Sequence, residues 1–182
     1  MPEELRFRRY DPRDGEAIVE LHEWAMRDAG ADPADIPGTE DLDAVESAYF
    51  QTGGDFLVGI ASSADADSVP RTFDGAVVAM GGFLPNEHGH ADERTVPNSV
   101  ELHRMRVAPP LQGNGYGRAL LEALERRVDN EAYDLLLATT SKRQQRAVVL
   151  YEAAGYREVA RSEHGAYELI HFEKPLASAA DD

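Results

Sequence analysis

Val107–Gly117, VAPPLQGNGYG, is the stretch from which the rest of the chain can be read. An apolar strand ends there, Pro109 and Pro110 forbid its continuation, and glycines at 113, 115 and 117 lead into a helical pattern. Glycines at such a junction let backbone N–H groups approach a ligand without a Cβ in the way. The helix start behind them adds unpaired N–H donors and the positive end of a dipole. The junction is therefore suited to a phosphate or pyrophosphate. Two familiar phosphate motifs fail on the residues. A P-loop needs Gly-Lys-Ser/Thr, and Gly117 is followed by Arg118-Ala119; a Gly-x-Gly-x-x-Gly fingerprint from Gly113 meets Arg118 at its sixth place.

Upstream of the junction, Ser99–Val107 (SVELHRMRV) reads as a strand, and strict alternation puts Glu101, His103 and Met105 on one face, opposite Leu102 and Arg104. Downstream, a helix from about Gly115 to Val128 carries the apolar stripe Tyr116, Leu120, Leu121, Leu124 and Val128. Asp134–Thr140 is a short continuous apolar run of the kind that parallel central strands have. A helix over 144–154 ends at Gly155, and 156–161 with 166–173 form a hairpin. Towards the N-terminus, residues 5–10 read as a strand, and Asp14 is placed to cap a helix through Ala29. A second helix is expected over 39–51, then strands at 56–61 and 75–84 forming an antiparallel pair. The order β-α-α-β-β-β-α-β-α-β-β predicts a single α/β domain over 1–176, a mixed sheet of about seven strands flanked by about four helices. A short acidic, disordered tail is expected at 177–182.

Composition sets the frame. The 182 residues carry 18 Lys plus Arg against 34 Asp plus Glu, a formal net charge of −16. Zero cysteine excludes disulfides, thiolate metal sites and a cysteine nucleophile. The charge argues against a nucleic-acid partner, which clustered cations would have to bind. No apolar run is long enough to span a membrane, and MPEELRFRRYDPRD lacks the apolar core of a signal peptide, so the expected location is cytoplasmic. Only Lys142 and Lys174 are lysines. An acid-rich, lysine-poor, cysteine-free chain is similar to the proteins of salt-loving microbes, in which concentrated salt screens carboxylate repulsion.

The acids are not evenly spread. Residues 102–121 and 135–151, 37 positions, hold no Asp or Glu, yet hold Arg104, Arg106, Arg118, Lys142, Arg143 and Arg146. Clearing acids from two separated segments around one anion-binding junction predicts that both face a single polyanionic ligand. His88-Gly89-His90 offers no third metal ligand at a recognisable spacing; two loop histidines of this kind are expected in solvent, and no metal is expected.

Gln112-x-x-Gly115-x-Gly117, after Glu101-Leu-x-Arg-Met-x-Val107, resembles the Arg/Gln-x-x-Gly-x-Gly/Ala signature of the GCN5-related N-acetyltransferases (GNAT). Gln144-x-x-Ala147-x-x-Leu150-Tyr151-x-x-x-Gly155-Tyr156 resembles the same family's Asn-x-x-Ala-x-x-x-Tyr segment, with Gln in place of Asn. Tyr167–Lys174 is similar to its last strand; the likeness covers about residues 75–174, and the first 70 fit by element order. The resemblance implies acetyl-CoA as acyl donor, with its pyrophosphate on Gln112, Gly113, Asn114, Gly115, Tyr116, Gly117 and Arg118. It implies the pantetheine arm on the main chain of Met105, Arg106 and Val107, with Gln144 beside it, and a strand splayed from the Glu101 strand to admit that arm.

It further implies direct attack by an amine in a ternary complex, with Tyr151 as general acid to the leaving thiolate. Tyr151 read from the residues alone could equally be a packing tyrosine. For the base, Glu101 stands where many relatives carry a glutamate, His103 has the better unperturbed pKa, and no dedicated base is a third reading. The acceptor is expected to be a small-molecule or peptide amine, met around Trp24, Tyr49, Phe50 and Tyr167. Many relatives are homodimers. The rival function is a non-catalytic acyl-CoA binding or sensing module.

Overall fold

In the computed structural model, residues 5–35, 39–62, 68–90 and 92–177 are described. Eight strands form one sheet in the order β1-β2-β4-β5-β6-β8-β7, with the short β3 pairing β4. They are β1 (Arg6–Arg9), β2 (Asp55–Ala61), β3 (Arg71–Thr72), β4 (Gly75–Pro85), β5 (Ser99–Val107), β6 (Leu135–Ser141), β7 (Arg157–His164) and β8 (Tyr167–Pro175). Every pairing is antiparallel except β5 with β6. The helices are α1 (Gly15–Asp28), α2 (Tyr116–Glu125) and α3 (Gln145–Ala153). The mixed α/β sheet and its element order agree with the sequence reading; β3, at two residues, is too short to leave a periodic signal. The tail expected at 177–182 lies outside the described residues except for Ala177. Among the described residues, no helix is long and apolar enough to cross a membrane.

The two faces of the sheet carry separate cores. On one, Ile18 and Leu21 of α1 pack with Val58, Ile60, Val78 and Met80. On the other, Leu120, Leu121 and Leu124 of α2 pack with Leu57, Phe83, Leu102 and Leu136. A fully buried leucine contributes roughly 1.5–3 kcal/mol, so the α2 stripe suffices to pin that helix, and with it the glycine turn at its start.

Asp14 does not cap α1 through its side chain; Asp11 caps the preceding 3-10 turn, Pro12–Asp14, by accepting from the Arg13 N–H. The Asp14 carboxylate is instead gripped by both terminal nitrogens of Arg8 at 2.8 Å and by the Thr72 hydroxyl at 2.6 Å. The continuous helix expected over 39–51 is also broken, into a 3-10 turn (Thr39–Asp43) and a π-helical turn (Glu46–Phe50). The break has a physical reason. The buried Tyr49 hydroxyl donates to Asp41 at 2.6 Å, whereas a straight α-helix would separate residues eight apart by about 12 Å along its axis.

One irregularity positions the site. β4 and β5 pair Gly82 with His103 and Met80 with Arg106, so Gly81 alone opposes both Arg104 and Met105. Arg104 takes φ 55°, in the left-handed region. This is a β-bulge, and one extra residue reverses the alternation beyond it. Met105 therefore joins Leu102 against α2, while His103, Arg104 and Arg106 turn together to the α1 face. The expectation that Met105 shares a face with Glu101, opposite Arg104, is corrected on this ground. Gly81 leaves room opposite the bulge, where a Cβ would lie 3.0 Å from the Met105 side chain, and a Cβ on the neighbouring Gly82 would lie 2.7 Å from both the Asp55 carbonyl and the Phe56 ring of β2.

Candidate active site

β5 and β6 pair only from Ser99–Leu102 to Leu135–Ala138; beyond that the strands part. Between them opens a cavity of about 700 Å3. Its walls come from β5, the glycine turn, α2, the end of β6, α3 and the C-terminal part of α1, so both acid-poor segments meet across one space.

At one end lies the turn into α2. Pro109–Leu111 forms a 3-10 turn, Gly113 and Gly115 take φ 81° and 85°, and Gly115 sits at the helix N-cap. Both glycines are needed, because a side chain is strained at these angles. A Cβ on Gly115 would meet nothing within 4 Å, so the turn is open where a ligand would lie. Gln112 is held by donating its side-chain amide to the Val107 carbonyl at 3.1 Å, and Asn114 donates to the Leu111 carbonyl at 3.0 Å. Gln112, Gly113, Gly115, Tyr116, Gly117 and Arg118 line the cavity; Asn114, turned back on its own loop, does not. Arg146 stands beside the turn, with a terminal nitrogen 3.4 Å from where a Gly113 Cβ would be. Arg118, Arg143 and Arg146 line the same space. Lys142 does not and pairs with Glu168.

Toward the middle, Met105, Arg106, Val107 and Gln144 line the gap. The β5 edge past Leu102 has no β6 partner, which leaves main-chain groups of this segment facing the cavity. Tyr151, on α3, is 6% exposed, and its hydroxyl meets the Met105 sulfur at 3.6 Å. Burial pushes its phenol up to about 12, with the Arg106 charge pulling the other way.

At the far end is a polar cluster, to which the bulge adds Arg104. Glu101 is 1% exposed and accepts from the Thr139 hydroxyl at 2.8 Å; Thr139 also meets His171, whose other nitrogen meets Ser162. Burial first, then the negative charge of Glu93, pushes Glu101 well above the ordinary carboxylate range. Glu93 pairs with His103 Nε2 at 2.7 Å. Burial works to raise Glu93, but that hydrogen bond and charge, with the His90 N–H, outweigh it and hold Glu93 below its ordinary value. His103 Nδ1 is buried without a partner. Arg104 donates to Asp41 at 3.2 Å and lies 3.3 Å from His90.

Glu101, His103 and Tyr151 thus line one cavity with the glycine turn. Of the four aromatics expected to meet the acceptor, Tyr167 lines it; Trp24, Tyr49 and Phe50 do not, and Tyr49 is wholly buried. His90, expected in solvent with His88, instead stacks on His103 with ring centroids 4.4 Å apart. Glu93, Asp41 and Thr139 were not legible as site residues. In so acidic a chain nothing local separates a buried acid from a surface one. Asp41, His90 and His103 offer ligand atoms within 4.8 Å of one another, as do His90, Asp92 and Glu93. A positive charge already stands there, because the Arg104 guanidinium contacts both Asp41 and His90.

Residues 18–156 match the sequence model of the Acetyltransferase (GNAT) family. Among curated proteins, nothing matches the chain. Solved structures share its fold. An acetyltransferase of the GNAT family from Staphylococcus aureus superposes with a TM-score of 0.74 at 17% identity, covering 96% of this chain and 100% of the other. A putative acetyltransferase from Salmonella typhimurium, solved with its cofactor acetyl-CoA, gives 0.69 at 21% identity, covering 99% and 98%. The ribosomal-protein-S18-alanine N-acetyltransferase of Escherichia coli gives 0.66 at 17% identity, covering 98% of each.

Proposed function

The chain belongs to the acetyltransferase (GNAT) family, and we propose that it moves an acetyl group from acetyl-CoA to an amine, by direct attack within a ternary complex. The observation that carries this reading is the single cavity between β5 and β6, which joins the glycine turn to Tyr151 and Glu101. Acetyl-CoA, when bound, supplies a thioester carbonyl open to attack. The fit rests on this chain's own residues: an open turn at Gly115, the cation Arg146 beside Gly113, and a β5 edge left unpaired past Leu102.

Backbone N–H groups from Gln112 to Arg118 receive the pyrophosphate, with the first turn of α2 adding its dipole. Main-chain groups of Met105, Arg106 and Val107 take the pantetheine arm as a strand would, and Gln144 lies beside it. The N–H groups near Met105–Val107 polarise the acetyl carbonyl. Glu101 accepts the proton of the amine. An ordinary carboxylate is a weak base for an ammonium group; burial and Glu93 raise Glu101 toward the useful range. The Glu93–His103 pair beside it offers the next stop for that proton. Tyr151 donates to the departing sulfur. With no cysteine in the chain, no thioester on the enzyme is invoked.

Acid-rich, cysteine-free composition supports a cytoplasmic setting in a salt-rich cell. The test of function is acetyl-CoA with a panel of amines, following free thiol and product mass. Thiol release that depends on the amine and yields its acetamide is expected. Tight binding of acetyl-CoA with no release on any amine would support the sensing module instead.

A further inference from the structure

The cations of this chain are mostly spoken for. With 34 acids to 18 cations, a basic side chain finds a carboxylate easily. Among the described residues, Arg71, Arg106, Arg126, Arg143 and Arg146 are those without an ion-pair partner. Arg71 and Arg126 are exposed and away from the cavity. Arg143 and Arg146 are exposed on the cavity rim, where the phosphates of the donor account for unpaired charge. Arg106 differs. It is not exposed, and it lines the cavity on the α1 face of β5, away from the phosphate turn.

Its contacts are all neutral. Nε donates to His22 Nδ1 at 3.3 Å, Nη1 donates to the Met105 carbonyl at 2.7 Å, and Nη2 has no partner among the described residues. His22 cannot serve as a counter-ion: burial, and then the charges of Arg106 and Arg104, drive its pKa down to about 2. Because Nδ1 accepts from Arg106, the ring hydrogen lies on Nε2, which is buried without an acceptor. Burial and the repulsion of Arg104 also depress Arg106 itself to about 10. A guanidinium kept half-buried without a counter-charge is costly unless something anionic completes it. The pantetheine arm and acetyl group carry no charge, so the donor does not complete it.

Resting on the transferase reading above, we propose that the acceptor carries a carboxylate close to its amine, and that Arg106 receives that carboxylate while Glu101 faces the amine. The acceptors are then compact amino acids rather than plain amines, polyamines or peptide N-termini. Arg106 and Glu101 lie on the same face of β5, and the Arg106 charge is felt at Tyr151, so the carboxylate would sit beside the reacting atoms. Asp41 does not oppose it, being neutralised by Arg104 and bonded by Tyr49. A doubly charged phosphate would suit this pocket less, with Glu93 near its other end.

The test uses matched triplets over a range of side chains: a free amino acid, its amide and its decarboxylated amine, each with acetyl-CoA and read by thiol release. At least one free acid is expected to exceed its amide by thirtyfold or more in kcat/KM. Arg106→Gln should remove that advantage, mainly through KM, so that the free acid and its amide are used about equally; Arg106→Lys should restore part of it. Should Arg106→Gln fail to fold, Arg106→Lys and the wild type carry the comparison. Equal or better use of amides and decarboxylated amines overturns the proposal, as does an equal loss on all three in Arg106→Gln. A second readout needs no turnover: calorimetric binding of N-acetyl amino acids against their amides. Carboxylate-dependent binding through Arg106 without any turnover would sink the transferase reading and leave the anion site standing. Binding indifferent to the carboxylate would overturn the site.

Discussion

Replacing Tyr151 by Phe removes one oxygen and little else. The hydroxyl has a single partner, the Met105 sulfur at 3.6 Å, so losing it costs under about 1 kcal/mol of stability, and a change in rate can be read as chemistry. The size of that change follows from the phenol's pKa. Burial raises it to about 12, whereas an alkyl thiol sits near 8.5. Complete proton transfer to the thiolate is then uphill by about 3.5 units, or ~5 kcal/mol. In the proposed mechanism Tyr151 therefore acts by hydrogen-bonding the charge that develops on sulfur, as an oxyanion-hole donor does, and not by handing over its proton early. Removing one such donor costs about 10²- to 10³-fold. Tyr151→Phe should lower single-turnover acetyl transfer by about 10²-fold, with acetyl-CoA affinity within threefold and urea stability within about 1 kcal/mol. Because a group at about 12 does not titrate in the working range, wild-type turnover should show no alkaline limb owing to Tyr151 below about pH 10. A Phe variant within threefold of wild type would refute the assignment. A loss of 10⁴ or more would refute the claim that the proton stays largely on oxygen.

Glu101 is raised in the folded protein, so its stability contribution is full below the unfolded value, about 4.3, and declines as pH rises toward the folded value. Glu101→Gln should therefore slow transfer yet raise Tm at pH 7–8, with the Tm gap closing near pH 4; a gap that does not vary with pH would contradict the upward shift of the buried carboxyl. Arg146→Gln should weaken acetyl-CoA binding by about three- to tenfold and flatten its salt dependence, since an exposed charge beside Gly113 acts through Coulomb attraction that salt screens; titration at 0.05 and 0.5 M KCl checks both. Gly115→Ala should cost about 1–2 kcal/mol in urea unfolding, because φ is 85° although space is open. Raising KCl from 0.1 to 2 M should raise Tm if carboxylate repulsion limits stability; loss of structure on adding KCl would contradict the salt-rich setting.

The glycine-turn half of the candidate site was legible as structure because its signals are local. Proline stops a strand, glycines at positive φ make a turn, and an acidic chain that omits acids marks where a polyanion belongs. The acceptor half was not. Glu93 and Asp41 are single acids among 34, and only the fold brings them beside His103 and Arg104. The helix expected over 39–51 failed for a related reason: the Tyr49–Asp41 bond, a tertiary demand, overrides a good local helical pattern.

The bulge in β5 is the sharpest case. Strands are read by a period of two, and that rule placed Met105 with Glu101 and sent Arg104 the other way. One extra residue at Arg104, an arginine in a conformation that usually selects glycine or asparagine, inverts every position beyond it. Composition carries no trace of this, since any residue can be forced into a bulge when its partners outweigh a cost of about 1–2 kcal/mol. Here Asp41 and His90 hold the Arg104 side chain, and Gly81 leaves room opposite. The consequence is functional. Without the bulge, Arg106 would point with Leu102 into the α2 core, where a charge has no place, and Met105 would leave Tyr151. With it, β5 presents main-chain groups to the cavity at its free edge, the Met105 sulfur to the phenol on one face, and Glu101, His103 and Arg106 on the other. On the proposed function, a single inserted residue divides one strand between the two substrates of the transfer.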